Sequence, residues 1–332
     1  MRERRQTTIV RLFALLSMVL VIPLLTVRAE AESPLKFGVH QQVRAGETKQ
    51  TALNRLEALA GRRMAAVRQF YEWDSAFPTA FENNLKGSGR TLVMSVKSRR
   101  TGGSVLQWSA IASAQPGSTL YTQMVSWARR IRTYGAPVYV TFNHEPEAPA
   151  SRQMGNASQY VAAWRKWVTI FRQQGATNVK FMWIMTDQSF WLAPSDFRAA
   201  SHWYPGDSWV DGIAGDAYNW YRCRPGINNA WKSLQQIIDP QRTFGLSHPN
   251  EELWLTEYGS TEDPADAARK AQWYRDARAL FKTPTFSVFD GVIQFEPNWD
   301  FAACVWPPDS SAASATAWHD WAQDPFYGGP GG

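Results

Sequence analysis

From residue 35 onward, short apolar runs alternate with amphipathic stretches, and this alternation restricts the fold more than any single motif does. The apolar runs cover residues 35–40, 64–73, 91–97, 137–145, 179–186, 212–218, 252–257 and 291–295. Each has the length of a strand buried on both faces, and Val138-Tyr139-Val140-Thr141-Phe142 carries the β-branched and aromatic bias of such strands. Helical periodicity lies between them, over residues 50–61, 120–134, 157–174, 230–238 and 264–281. Asn156 with Gln159 three residues later marks one helix start and Asp263 ahead of Pro264 another, while Gly135 and Gly175 mark stops. The units between the second and third runs and between the fifth and sixth carry weak helical signals. This order predicts an α/β fold built on a parallel sheet. A doubly wound open sheet competes with a single (β/α)8 TIM barrel. No glycine-rich phosphate-binding fingerprint follows any of the runs, so the barrel is expected.

A barrel commonly takes about 250 residues, and the first part of this 332-residue chain reads differently. It starts with Arg2, Arg4 and Arg5, continues through an apolar run from Leu12 to Val27 broken by Pro23, and reaches Ala29-Glu30-Ala31. That is the pattern of a secretory signal cleaved near Ala31, and the run is shorter than the ~20 residues of a membrane span. The expected organisation is a leader over 1–31 and a barrel over 32–332, secreted, with no stable membrane association after cleavage. The formal charge of +6 raises nucleic acid as a partner. Five Arg and two Glu of the leader supply half of that excess, leaving 30 basic and 27 acidic residues, so no nucleic-acid partner is expected. Cys223 and Cys304 are the two cysteines, and in an oxidising compartment they point to a disulfide, with two buried thiols as the alternative.

Active residues of a barrel sit at the carboxyl ends of its strands. The runs end on His40, on Gln69-Phe70-Tyr71, on Lys97, on Asn143-His144-Glu145, on Asp216-Ala217-Tyr218-Asn219-Trp220, on Thr256-Glu257-Tyr258 and on Phe295-Glu296. Glu145 on the fourth run and Glu257 on the seventh stand nearly opposite in an eight-strand barrel. Two facing carboxylates suit glycoside hydrolysis, which needs one acid to protonate the leaving oxygen and a second carboxylate to attack or to activate water. Tyr218 shares a face with Asp216 and is placed to hydrogen-bond Glu257 and hold it ionised, while His144 is placed to orient the site beside Glu145.

Other chemistries fit poorly. Pro146-Glu147-Ala148 follows His144 where a zinc motif would need a second histidine, and the remaining histidines, 40, 202, 248 and 319, are scattered, so no metal is expected. There is no G-x-S-x-G elbow, and neither cysteine has a nearby histidine. Glu147, Asp187, Glu296 and Asp300 compete with the two glutamates as strand-end acids, with solvated or supporting roles as the plainer reading. Acid and base work by carboxylates calls for no cofactor.

Three pieces carry a family resemblance: Phe142-Asn143-His144-Glu145, the stretch from Tyr204-Pro205-Gly206-Asp207 through Asp211-Gly212-Ile213-Ala214-Gly215-Asp216-Ala217-Tyr218, and Trp254-Leu255-Thr256-Glu257-Tyr258-Gly259. Together they resemble glycoside hydrolase family 26, whose best-known members are β-mannanases, within a clan of barrel glycosidases using Glu on strands four and seven. Sister families place Asn before the acid Glu, and His144 in that position points to this family. The resemblance implies Glu145 as general acid/base and Glu257 as nucleophile of a retaining double displacement, with His144 and Tyr218 shaping the sugar site. It also places Asp211 and Asp216 at family positions. Two departures bear on substrate. Thr141-Phe142 stands where mannan-cleaving relatives often carry Arg-Pro, and Phe295, with Trp299 nearby, stands where a Trp usually ends the last strand.

The expectation is therefore a secreted, monomeric endo-glycosidase acting on β-1,4-mannan or glucomannan. Mixed-linkage glucan and β-1,3-xylan are alternatives, as is a catalytically silent polysaccharide-binding barrel. Exo action depends on whether a loop such as 99–116 closes the cleft. The 17 tryptophans divide on the same reading. Trp127, Trp164, Trp167 and Trp273 lie in helical patterns and are expected to pack against the barrel. Trp73, Trp108, Trp183, Trp220, Trp299 and Trp306 fall at or beyond strand ends, where a flat ring stacks on a sugar. The expected substrate-binding set is His40, His144, Asp216, Tyr218, Trp220, Phe295, Trp299, Trp183 and Trp73.

Overall fold

The computed structural model describes residues 35–224, 229–296 and 304–328; the expected leader and Trp299 lie outside them. Its strands are β1 (Leu35–His40), β2 (Ala66–Tyr71), β3 (Thr91–Val96), β4 (Val138–Phe142), β5 (Val179–Thr186), β6 (Gly212–Asn219), β7 (Glu252–Ser260), β8 (Gly291–Phe295) and the two-residue β9 (Tyr327–Gly328). The first eight match the eight apolar runs. They pair in parallel in chain order, β8 pairs β1, and β1 pairs β2, so the sheet closes into a (β/α)8 barrel, with β9 added on β1.

Alternation along the strands sorts side chains into two cores. Inward positions Ala66, Val93, Tyr139, Met182, Ile184, Ala214, Trp254 and Ile293 fill the lumen as one cluster. Outward neighbours such as Val67, Val140, Ile213, Leu255 and Val292 join the large cluster under the helices. Trp254 in the lumen needs a glycine on the next strand: a Cβ on Gly291 would lie 2.4 Å from two atoms of its ring.

Strand β7 departs from this alternation, and the departure places a site residue. The β6–β7 register skips a residue, so Gly215 faces Leu255 while Asp216 faces Glu257. This bulge lets both Thr256 and Glu257 reach the lumen side, where strict alternation from Trp254 would turn Glu257 outward.

The helices are α1 (Lys49–Ala60), α2 (Ala80–Gly87), α3 (Trp108–Ser113), α4 (Thr119–Tyr134), α5 (Ala157–Gln173), α6 (Ala200–Trp203), α7 (Leu234–Leu246), α8 (Arg269–Leu280) and α9 (Ala312–Ala322). The expected Asn156–Gln159 capping box starts α5. A Thr79–Glu82 box starts α2, whose eight residues were too few to show a clear period. Two expectations are corrected. The helix expected over 230–238 starts later, capped by Ser233 with Gln236, and runs through Pro240 to Leu246. Asp263-Pro264 does not open a helix: Asp263 accepts from Ala265 N and pairs with Arg269, closing a turn before α8. Among the described residues no helix is long and apolar enough to cross a membrane.

Candidate active site

The lumen rows continue upward from the apolar cluster into the site. Above Ala66 the inward positions of β2 are Arg68 and Phe70, and above Ala214 those of β6 are Asp216 and Tyr218. Fully buried Arg68 donates from Nε and Nη2 to Glu257 Oε1, both at 3.1 Å, and Tyr218 Oη donates to Glu257 Oε2 at 2.7 Å. Thr256, across the bulge, donates to Asp216 Oδ1 at 2.7 Å, and Asp216 Oδ2 lies 3.9 Å from Arg68. Arg68 is therefore the cation that two buried carboxyls share. Sequence reasoning missed it; a lone arginine at the centre of a β-branched and aromatic run, two residues before Phe70, was the available signal.

Glu145 is positioned by a backbone departure instead. Strand β4 ends at Phe142, and Asn143 and Glu145 both take φ of +46°, a left-handed conformation that costs a non-glycine residue of order 1–3 kcal/mol. Asn143 holds the turn: its Oδ1 accepts from Ser98 N and its Nδ2 donates to Ser151 Oγ. Glu145 N donates to Ile184 O of β5. Among the described residues no side chain hydrogen-bonds the Glu145 carboxyl.

The two glutamates differ in electrostatic setting. Burial raises the Glu145 carboxyl well above its ordinary value, and the charges of Glu257 and Glu147 add to the rise. Burial also raises Glu257, but Arg68 and the Tyr218 hydroxyl pull it back toward the ionised form. Asp216 is raised well above the carboxylate range by burial and by Glu257, so it favours its neutral form. Both histidines are neutral. Burial lowers His40 to about 4, and its Nδ1 donates to Arg68 O while its ring stacks on Phe295 at 4.6 Å. Burial lowers His144 well below its ordinary value, and its ring lies 5.0 Å from Phe70.

Four buried polar atoms of this group, Arg68 Nη1, His144 Nδ1, Asp216 Oδ2 and Glu147 Oε2, have no hydrogen-bond partner among the described residues. Buried polar groups are normally satisfied, so a cluster of such atoms marks a place built to meet a polar ligand.

The comparisons with known proteins agree on the architecture. No protein-family model matches the chain. It is 24% identical over 300 residues to Endoglucanase H of Acetivibrio thermocellus, an alignment covering 87% of this chain and only 30% of that protein. Among solved structures it superposes on a GH26 β-mannanase from Bacteroides ovatus with a TM-score of 0.62, at 16% identity over 91% of this chain and 92% of that one. An endo-β-1,4-mannanase double mutant from Cellulomonas fimi gives 0.63 at 16% identity, over 90% and 72%, and the catalytic domain of a Bacillus sp. GH26 endo-β-1,4-mannanase gives 0.61 at 14%, over 89% and 87%. The chain shares the fold of these glycosidases. The resemblance read from the strand-end pieces therefore holds at the level of architecture.

The other strand-end acids are supporting groups. Glu147 Oε1 accepts from Thr186 N, Thr186 Oγ1 and Ser189 Oγ at 2.6–2.8 Å, which ties the loop after Glu145 to the end of β5. Glu296 accepts from Arg44 and Arg55 behind β8, and Asp211 Oδ2 accepts from Phe181 N at the start of β6. Asp300 lies outside the described residues.

The tryptophan expectations need correction. Trp73, Trp108, Trp183 and Trp306 are at most 1% exposed and present no face to a sugar. Trp73 packs against Phe142 and Trp167, Trp108 against Tyr160 and Trp203, and Trp183 against Tyr204 and Phe244, all outside the barrel wall where outward strand residues meet helices. Trp306 lies beneath Trp220 and Tyr218, near the Cys223–Cys304 disulfide that joins the β6 loop to the loop after β8. Trp220 lines the cleft, whereas the most exposed tryptophan and phenylalanine among the described residues are Trp191 and Phe197, which the sequence analysis did not single out. The expected helix-packing tryptophans, Trp127, Trp164, Trp167 and Trp273, are buried.

Proposed function

We propose that this chain is a secreted glycoside hydrolase of the family 26 type, a retaining endo-β-glycosidase acting as a monomer on a β-linked polysaccharide. The observation that carries the reading is the unequal setting of the two strand-end glutamates. Glu145 has burial and two negative neighbours to keep its proton, and Glu257 has a guanidinium and a phenol to keep it ionised. Carboxyls whose environments push them apart divide acid from nucleophile.

In the first step Glu145 gives its proton to the glycosidic oxygen as that bond to the anomeric carbon breaks, and a Glu257 oxygen bonds to the same carbon. In the second, Glu145, now a carboxylate, takes a proton from water, whose oxygen displaces Glu257. Arg68 and Tyr218 hold Glu257 in line throughout, and His40, His144 and Phe295 form the neutral wall beside it. Asp216 acts through Arg68 and Thr256.

β-1,4-Mannan or glucomannan is the first substrate class, supported by the mannanase neighbours in fold. The endoglucanase relative keeps mixed-linkage glucan as a second reading. Export is supported by the disulfide together with the leader-like start of the sequence.

Reducing-sugar release from mannan, glucomannan, lichenan and β-1,3-xylan tests the activity and ranks the substrates. Glu257→Ala is expected to abolish release, and azide is expected to restore turnover of an activated glycoside with an inverted glycosyl azide as product. A Glu257→Ala protein of near-full activity would refute the assignment.

A further inference from the structure

The leaving group of a glycosidase departs on the side of its acid, and of the hollows that adjoin Glu145 the one beside Lys97 and His144, of about 100 Å³, is smaller than a sugar unit needs, which leaves the roomier one for the leaving group. A space of about 350 Å³ opens there between the β4, β5 and β6 loops, lined by Glu145, Glu147, Asp187, Tyr218, Arg152 and Arg198 among others. A second hollow, of about 620 Å³, lies on the far side of Arg152 and is bounded by Asn156, Ser158, Phe197, His202 and Trp203. Arg152 belongs to both, which makes it the wall between them. Phe197, 56% exposed, carries Arg152 at 5.1 Å from its ring centre and Arg198 at 5.9 Å.

The two arginines differ in their commitments. Arg198 is held by Asp196, with Nε to Oδ1 at 3.0 Å and Nη2 to Oδ2 at 2.7 Å. Arg152 is exposed and makes no ion pair or side-chain hydrogen bond among the described residues. The acids facing this side are Glu145, Glu147, Asp187 and Asp216, together with Asp196. Burial favours the neutral form of the first four, with Asp187 raised to about 7, so they offset the arginines less than their number implies. A neutral sugar chain offers such a guanidinium only single hydroxyl acceptors, whereas a planar carboxylate matches its paired donors with opposite charge.

We propose that the cleft continues past Arg152 as a leaving-group-side subsite for a sugar unit bearing an anionic substituent, a carboxylate or a sulfate, with Arg152 as the ion-pairing residue and Phe197 as the ring beside it. The proposal rests on the glycosidase reading for which side of Glu145 the leaving group takes. It names the substrate class as a β-glycan decorated with acid groups.

The test uses the inactive Glu257→Gln chain and measures binding by titration calorimetry to glucomannan, partly carboxymethylated glucomannan and partly sulfated glucomannan at low and high NaCl. One or the other anionic polymer is expected to bind about three- to fivefold more tightly than the neutral one at low salt, the size of a partly exposed ion pair. That gain is expected to vanish in Glu257→Gln/Arg152→Gln and at high salt, and the polymer that shows it identifies the anion. Equal binding of all three polymers, or a gain that survives Arg152→Gln, overturns the proposal. Hydrolysis of the neutral and the anionic polymers by the unmodified chain is scored separately: its absence on every one of them refutes the glycosidase reading, and with it the leaving-group label, without touching the binding result.

Discussion

Arg68 governs the site at the scale of single residues, because its two nitrogens on Glu257 Oε1 offset the burial of that carboxyl. Tyr218 does the same for the other oxygen from the next strand round. A hydrogen bond to a charged acceptor contributes about 1.5–3 kcal/mol. Tyr218→Phe removes one such bond with little change of volume, so kcat/KM is expected to fall about 10- to 100-fold. The sign of the accompanying pH effect is fixed by the same contact. The hydroxyl favours ionised Glu257, so its loss raises the pKa of that carboxyl and moves the acid limb of the kcat/KM profile to higher pH. An unchanged acid limb, read from initial rates across pH, would show that the phenol does not tune Glu257. Glu145 and Glu257 were legible in the sequence because both end apolar runs. Arg68 was not, since strand periodicity marks an inward position without saying that a charge there has carboxylates waiting for it.

At the scale of elements, the sequence carried the eight strands well because each is apolar on both faces and close to the expected length. It carried the bulge in β7 poorly. Trp254, Leu255, Thr256 and Glu257 read as one uninterrupted strand, and it is the pairing with β6 and with β8 that reveals the register skip after Leu255. The tryptophans at strand ends were misread for a related reason: one step in strand parity separates a ring facing the cleft from a ring under a helix. Trp183 and Trp73 fell on the helix side. The fit of β8 against β7 gives a direct test of how tightly parity is enforced. A methyl at position 291 would overlap the Trp254 ring, and overpacking of a filled core costs about 1–3 kcal/mol. Gly291→Ala is expected to lower the thermal midpoint by several degrees, and a Trp254→Leu background is expected to cancel most of that loss. Equal losses in both backgrounds would mean that the indole is not what excludes the side chain.

At the scale of the whole molecule, concentrating carboxyls at one end of the barrel makes stability depend on pH in a particular direction. Glu145, Glu147, Asp187, Asp216 and Glu257 are all raised by burial. An acid raised on folding keeps its proton in the folded chain where the unfolded chain has lost it. Its contribution is therefore present at low pH and is lost as pH rises through the folded value. For Asp187 the window runs from its ordinary 3.8 to about 7. His40, lowered to about 4, and His144 act with the opposite sign in part of that window, because the unfolded chain takes up their protons first. A comparison of Asp187→Asn with the parent chain cancels those contributions. The amide cannot ionise, so the variant is expected to gain on the parent between pH 5 and pH 8 by about 1–2 kcal/mol, after allowance for the access of Asp187 to the cleft. That corresponds to roughly 3 °C in thermal midpoint. An offset between variant and parent that stays constant from pH 5 to pH 8 would show that Asp187 ionises as freely in the folded barrel as in the unfolded chain, and that the polar end of the lumen is wetter than its packing implies.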